Sequence, residues 1–512
     1  MILPIFILIP FLGGIACWCF DQYGIKISHY IALVLTSLLF VLSFSCLFCD
    51  LTIFVSHSYK SFWNFEYQTS WIPQLGITFY LAADSLSILM LVLTNFLGMI
   101  SVLCSWNRIE KKIGFFYLNL LWILSFSVGI FLSIDLFLFF FFWEIIIFPM
   151  YFLIILWGYK VNSKNTCLNR YIAANKFFIY SQFSGLILLF SILLLVYSNY
   201  TCTHVLSFNY DILRNVSLGI FMETFIMIGF FLAFSIKIPI VPFHDWFPDF
   251  HTYSPISGAL DISGILLKTA IYALLRFNIP FFPHASFIFS SIFMYLGVIT
   301  IFYSIFVAFF QVDIKRLIAY MSMSHTGFLL IAVFSANQIA YQGIIIHVIS
   351  YAISTSALYC LVGQVFQRTN TRNMKEIGGL WSKMNWIPSL SLFFAVANLG
   401  IPGTGNFVGE FMILFGTFNK NMFLISVVSF SLIFTALCSL NMIQKIYFGP
   451  YFYKKNKVFI KNVSFREIFI SMLLLTVLIL IGVFPNIILH ISEFPLNNIR
   501  TIFFNSISMT RL

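Results

Sequence analysis

The chain has 512 residues, of which 61% are hydrophobic and 9% are charged, and its formal net charge is +11. A soluble domain carries about 25% charged residues, so this composition excludes a water-soluble globule and makes lipid the main solvent. The first apolar run starts at Ile2 with no basic stretch before it and no small-residue cleavage site after it, so it reads as a first span rather than a cleaved leader.

Apolar runs recur along the whole chain, among them Ile2–Phe20, Ile31–Cys49, Leu118–Phe131, Leu136–Trp157 and Leu186–Tyr197. A span needs about 20 apolar residues, and backbone in lipid must satisfy its own hydrogen bonds. The runs therefore predict an all-α polytopic membrane protein. About fourteen spans are expected, at 1–20, 28–49, 80–103, 113–133, 135–157, 171–197, 217–240, 254–276, 286–309, 315–336, 341–366, 385–417, 421–444 and 467–490. Phenylalanine is extreme, at 66 residues. AT-rich codons produce that bias, which favours an organellar genome, with an AT-rich bacterium as the alternative.

The basic residues test the span count. Lys26, Arg108, Lys111, Lys112, Lys160, Lys164, Arg170, Lys176, Lys315, Arg316, Arg368, Arg372, Lys375, Lys383, Lys445, Lys454, Lys455, Lys457, Lys461 and Arg466 fall in odd-numbered loops or in the span ends that adjoin them. Lys60, Arg214, Arg276, Lys420, Arg500 and Arg511 fall in even loops or at the termini. The positive-inside rule puts the odd loops in the matrix or cytoplasm and both termini outside. Topology thus accounts for the net charge, and no nucleic-acid partner is needed to explain it.

Four ionisable residues stand out inside spans: Glu144 in the fifth, Lys237 late in the seventh, Lys268 in the eighth and Glu410 in the twelfth. Each costs roughly 3 kcal/mol to insert. Neutralised helix–helix ties, such as Glu144 with Lys237, are one use for them; proton transfer is the other. Burial disfavours the charged form of either group and a nearby opposite charge restores it. A Glu–Lys pair that makes and breaks contact is then a protonation switch. His325 in the tenth span, and His347 with Tyr351 one turn apart in the eleventh, are candidate relays. His244, Asp245, Asp249 and His251 read as a solvated loop. Cys17-x-Cys19 and Cys46-x-x-Cys49 read as packed thiols; no metal site, Fe–S ligand set or nucleotide loop is expected.

Two spans look broken: the seventh at Pro239, beside Lys237, and the twelfth at Pro402-Gly403-Thr404-Gly405, ahead of Glu410. Each is the fourth member of a set of five, spans 4–8 and spans 9–13. An odd number of spans gives the two sets opposite orientations, so two inverted five-helix repeats with discontinuous helices 7 and 12 are expected. The chain then divides into an N-terminal three-helix segment (1–110), a first repeat (111–280), a second repeat (281–450), and a basic loop, fourteenth span and tail (451–512).

These residues closely resemble the antiporter-like chains of the membrane arm of NADH:ubiquinone oxidoreductase, respiratory complex I. The match runs from roughly 80 to 450. It rests on Phe142-Trp143-Glu144 with Pro149, on Lys237 through Pro248, on Gly264 through Lys268, and on Asp313 through His325. Thr371-Arg372, Gly378 through Trp381, Ala397 through Pro402 and Gly409-Glu410 complete it. Glu410, where chains two and five usually carry lysine, points to chain four of the mitochondrially encoded type.

The resemblance implies proton pumping coupled to quinone reduction elsewhere in the complex. Glu144 and Lys237 would be the switch pair, Lys268 the central relay and Glu410 the exit side. It also implies that NADH, FMN, Fe–S clusters and ubiquinone sit in partner subunits, and that this chain holds no cofactor. Neighbouring antiporter-like chains and anionic lipid such as cardiolipin are the expected contacts, in the mitochondrial inner membrane. Three positions depart from the pattern: Tyr253 stands where a carboxylate is usual, Asp261 where an apolar residue is, and Tyr351 where the eleventh-span histidine is, with His347 one turn before it. Asp261 and His347 are expected to take over displaced relay roles. A subunit of a multisubunit cation/proton antiporter, a plastid relative of the complex and a structural membrane scaffold remain as alternatives.

Overall fold

The computed structural model describes residues 2–23, 25–55, 63–159, 166–255, 264, 267–450 and 463–510. Twelve of its helices are long and apolar enough to cross a membrane. They are spans 1–7 (Ile2–Phe20, Ile27–Phe48, Ser85–Ser105, Ile113–Leu132, Leu136–Trp157, Leu168–Thr203, Ile220–Lys237), 9–11 (Pro283–Phe309, Ile314–Val333, Gln338–Thr369), 13 (Met422–Tyr447) and 14 (Phe465–Val483). The eighth span is described from Leu267–Ala273 onward, through a π-helical turn at Leu274–Asn278 to Ile279–Phe281. The twelfth is split into Ile387–Ala397 and Gly405–Phe418. These two complete the expected fourteen. Their outward faces are apolar, with Phe221, Phe423 and Phe465 all exposed, as lipid-facing surfaces require.

The interior lies on spans 10 and 11. All of span 11's apolar window is buried and 94% of span 10's, against 22% for span 14. A polar side chain on either central span therefore faces protein rather than lipid.

The inverted repeat is visible in a device used twice. Asp135 caps the fifth span by accepting from the Phe137 and Leu138 amides, and Asp313 caps the tenth by accepting from the Lys315 and Arg316 amides. Each capping residue also forms a lone β-bridge to a later loop, Asp135 to Asn209 and Asp313 to Asn373. The Asp135 device lies at the even-loop end of the bundle and the Asp313 device at the odd-loop end.

Polar ties keep the two ends distinct. At the odd end, Lys176 pairs with Asp245 at 2.6 Å and Asp249 at 3.0 Å, Arg316 reaches Asp249 at 3.4 Å, and Arg368 pairs with Glu467 at 2.7 Å. At the even end, Arg276 pairs with Asp84, and Thr78 donates its amide and hydroxyl to Asp135. In each of these pairs both partners belong to the same end of the bundle.

Four features differ from expectation. Residues expected to begin the third span belong instead to an antiparallel hairpin, Phe65–Ile72 with Ile77–Ala83. Its second strand is buried and its first mostly exposed, so its sidedness is a strand's, not a helix's. The fifth span is interrupted at Ile146, where Pro149 cannot donate back to the Ile145 carbonyl. The tail is a helix, Asn486–Thr510, which buries Ile491, Leu496, Ile499 and Phe503 against the bundle. Lastly, residues 246–253 form a short helix rather than a solvated loop, with His251 wholly buried. Cys17 is a packed thiol, whereas Cys19 is exposed on the outside of the bundle; the Cys49 side chain lies outside the described residues.

Candidate proton-transfer site

Glu144 is set just before the Ile146 interruption. Its Oε2 accepts from Gln182 Nε2 of the sixth span at 2.8 Å. Gly185, one turn on, faces the same carboxylate so closely that any side chain there would overlap it. Lys237 is the last residue of its helix, and the chain beyond it is irregular until Trp246. Its ammonium donates to the Trp143 carbonyl at 2.8 Å and sits 3.7 Å from the centre of the Trp143 ring. The expected switch pair is therefore brought together but not joined. Glu144 is held by an amide, Lys237 by a carbonyl and an aromatic face, and among the described residues no ion pair connects them.

Lys268 lies on the eighth span, 1% exposed, with its ammonium 5.1 Å from the centre of the Tyr351 ring. Tyr351 is a hub. Its ring centre is 4.1 Å from that of His325 and 5.5 Å from that of His347, and the two histidines are 5.3 Å apart. His325 Nδ1 stands 3.3 Å from Glu410 Oε1. The twelfth-span break delivers Glu410 to this point. Gly400 and Gly403 take φ of +70° and +96° there, a turn that side-chain-bearing residues rarely make. A Cβ on Gly400 would come within 2.6 Å of Glu410 Oε2.

Lys268 Nζ, both nitrogens of His325 and of His347, the Tyr351 hydroxyl and Glu410 Oε1 are all buried without a protein hydrogen-bond partner. Titratable groups gathered this closely and out of bulk solvent can hand protons to one another. The donor atoms of His325, His347 and Glu410 also lie within 4.8 Å of one another, a spacing a small cation could bridge. The Lys268 ammonium, facing the same tyrosine, opposes a second positive charge there.

The structure thus brings His325, His347, Tyr351, Lys268 and Glu410 into one cluster. Both His347 and Tyr351 face it. Asp261 lies outside the described residues. Tyr253 is half-buried and contributes its backbone carbonyl, which accepts from the Tyr159 amide at 2.9 Å. Sequence reasoning passed over Gln182, although an amide in an apolar run is itself a signal. It also passed over the stack of His251 on Tyr359, with ring centres 5.1 Å apart and planes 8° apart. No sequence spacing reveals that contact.

A helical bundle with inverted repeats, helices broken beside buried charges and a titratable cluster at its centre is an ion-translocating membrane protein. The family model described as "NADH:quinone oxidoreductase/Mrp antiporter, TM" matches residues 133–435, and the chain belongs to that family. It is 54% identical over 508 residues to NADH-quinone oxidoreductase subunit M of Buchnera aphidicola subsp. Baizongia pistaciae, covering 99% of this chain and all of the relative. It is 49% identical over 511 residues to the Escherichia coli K12 protein of the same name, covering the whole of both. Among solved structures, a chain of respiratory complex I from Thermus thermophilus with bound NADH shares the fold, with a TM-score of 0.84 at 23% identity, covering 98% of this chain and all of that one.

Proposed function

We propose that this chain is the proton-translocating, antiporter-like subunit M of the membrane arm of an NADH-quinone oxidoreductase. The observation that carries the reading is the buried Lys268–Tyr351–His325–Glu410 cluster, in a chain that aligns end to end with subunits of that name. Protons pass along Glu144, Lys237, Lys268, the His325–His347–Tyr351 cluster and Glu410, so the path divides between the two repeat units, 111–280 and 281–450. Glu144 and Lys237 are the switch. In the described arrangement their contact is broken, and closing it stabilises both charges at once.

Moving a proton outward costs about 2.3 kcal/mol per 100 mV. NADH oxidation and quinone reduction supply that energy from partner subunits that hold the flavin and Fe–S clusters. Neighbouring membrane-arm chains are its lateral partners, and anionic lipid contacts the basic loops. Phenylalanine content suggested a mitochondrial inner membrane, but bacterial relatives at 54% and 49% identity support the cytoplasmic membrane of a bacterium. The odd loops then face the cytoplasm. Cysteines introduced at Lys112 and Lys420, in a background with the exposed Cys19 and Cys202 replaced by serine, test this: an impermeant thiol reagent applied from outside labels position 420 and not position 112.

The function is tested with Lys268→Ala in the assembled complex, by proton uptake per NADH oxidised in proteoliposomes. Loss of pumping at normal assembly is expected. Unimpaired pumping would make the chain a scaffold, and sodium-dependent exchange without NADH oxidation would make it an antiporter subunit.

A further inference from the structure

The third and eleventh spans meet through sulfur. Cys104, near the odd-loop end of the third span, and Cys360, in the eleventh, place their Sγ atoms 2.9 Å apart. They are 5% and 1% exposed. Cys17 and Cys438 instead donate to backbone carbonyls, and Cys19 and Cys202 are exposed. A disulfide places its sulfurs about 2.0 Å apart, so this pair needs to close by less than an ångström, within reach of side-chain rotation. A cavity of about 250 Å³ with mixed polar and apolar walls lies beside it, lined among others by Ser105, Arg108, Trp157, Tyr159, Phe366 and Gln367. That cavity brings a small solute to the residue next to Cys104.

We propose that Cys104 and Cys360 form a redox-modifiable dithiol, which a hydroperoxide converts to a disulfide that clamps the third span to the eleventh. The Cys104 thiolate attacks the peroxide oxygen, the O–O bond breaks, and an alcohol (or water) leaves with one proton. The resulting sulfenic acid is attacked by Cys360, forming the S–S bond and releasing water. Two electrons pass from the sulfurs to the peroxide, and both thiol protons end on its oxygens. The eleventh span carries His347 and Tyr351, so a clamp on it restrains the relay. That functional half rests on the proton-relay reading above; the chemical half does not.

The test uses the whole complex in native membrane vesicles, treated with tert-butyl hydroperoxide. Thiols are alkylated after denaturation and the peptides are mapped. The expected result is a Cys104–Cys360 linked peptide, the loss of both thiols from alkylation, and their recovery with dithiothreitol. Proton pumping per NADH oxidised falls with the link and recovers on reduction, while a Cys104→Ala/Cys360→Ala double variant keeps its pumping through the same treatment. A Cys104→Ser variant, milder in packing, leaves Cys360 alkylatable throughout. If both thiols stay alkylatable under conditions that oxidise the exposed Cys19 and Cys202, the modification site is overturned. If the link forms and pumping is unchanged, the clamp is overturned, whereas failure of the relay reading is seen separately, in unimpaired pumping by untreated Lys268→Ala.

Discussion

His325 of the tenth span and Glu410 of the twelfth meet at 3.3 Å in the middle of the bundle, each at most 3% exposed. Neither has another described side-chain partner for the atoms that face each other. A carboxylate that takes a proton from an imidazole, and passes it on, needs this contact. Glu410→Gln keeps the shape and removes the proton acceptor. Positioned proton transfer contributes about 10²-fold or more to rate. The variant should therefore lose about that factor in proton translocation while the complex assembles normally. Dye-quench pumping assays beside blue-native gels measure the two separately, and Glu410→Asp should retain part of the activity.

Gly185 gives a second prediction. A Cβ there would collide with the Glu144 carboxylate, which is otherwise held by Gln182. Gly185→Ala should displace the carboxylate and cost about 1–3 kcal/mol of strain. Pumping should fall nearly as far as in Glu144→Gln, although no titratable group has changed. Gln182→Leu, which leaves the notch open, should do less damage. Equal pumping in wild type and Gly185→Ala would show that the notch is not needed.

Arg276 and Asp84 form an ion pair at the even end, 1% and 4% exposed, with the Trp63 and Tyr272 rings against the guanidinium. Removing one partner strands the other as a buried charge, at about 3–5 kcal/mol. Asp84→Ala should thus reduce the yield and thermal stability of the assembled complex. A double Asp84→Leu/Arg276→Met replacement should recover much of the loss. Thermal-shift measurements on purified complex distinguish the two.

His251 links folding to pH. It lies on the short helix Trp246–Tyr253 at the odd-loop end, beyond the spans. Burial, helped by the Lys315 charge, pushes its imidazole down to about 3. The unfolded chain therefore binds more protons than the folded one between about pH 3 and the ordinary histidine range near 6.5. Stability should fall as pH drops through that window. His251→Phe keeps a ring against Tyr359 and removes the titration. Its melting temperature should change less between pH 6.5 and 4.5 than that of the wild type, within the window the lowered imidazole sets.

Much of this protein follows from local sequence alone, because lipid imposes a strong local rule. Every span must be helical and apolar, so span number, the alternation of loops and the cost of Glu144, Lys237, Lys268 and Glu410 can be read without tertiary information. The Pro-Gly interruptions are local chemistry too, which is why the breaks near Lys237 and Glu410 stand where the residues said they would. Other features are contacts between distant segments. The hairpin Phe65–Ala83 is defined by cross-strand pairing and by a tie to Asp135, and the tail helix by the groove that receives it.

The site divides in the same way. Its residue types were legible, but the tertiary structure alone decided that Lys237 rests on Trp143 rather than on Glu144. Packing of the tenth, eleventh and twelfth spans likewise gathers His325, His347, Tyr351 and Glu410 into one cluster. Spacing along a helix fixes which face a residue occupies; only packing decides what that face meets.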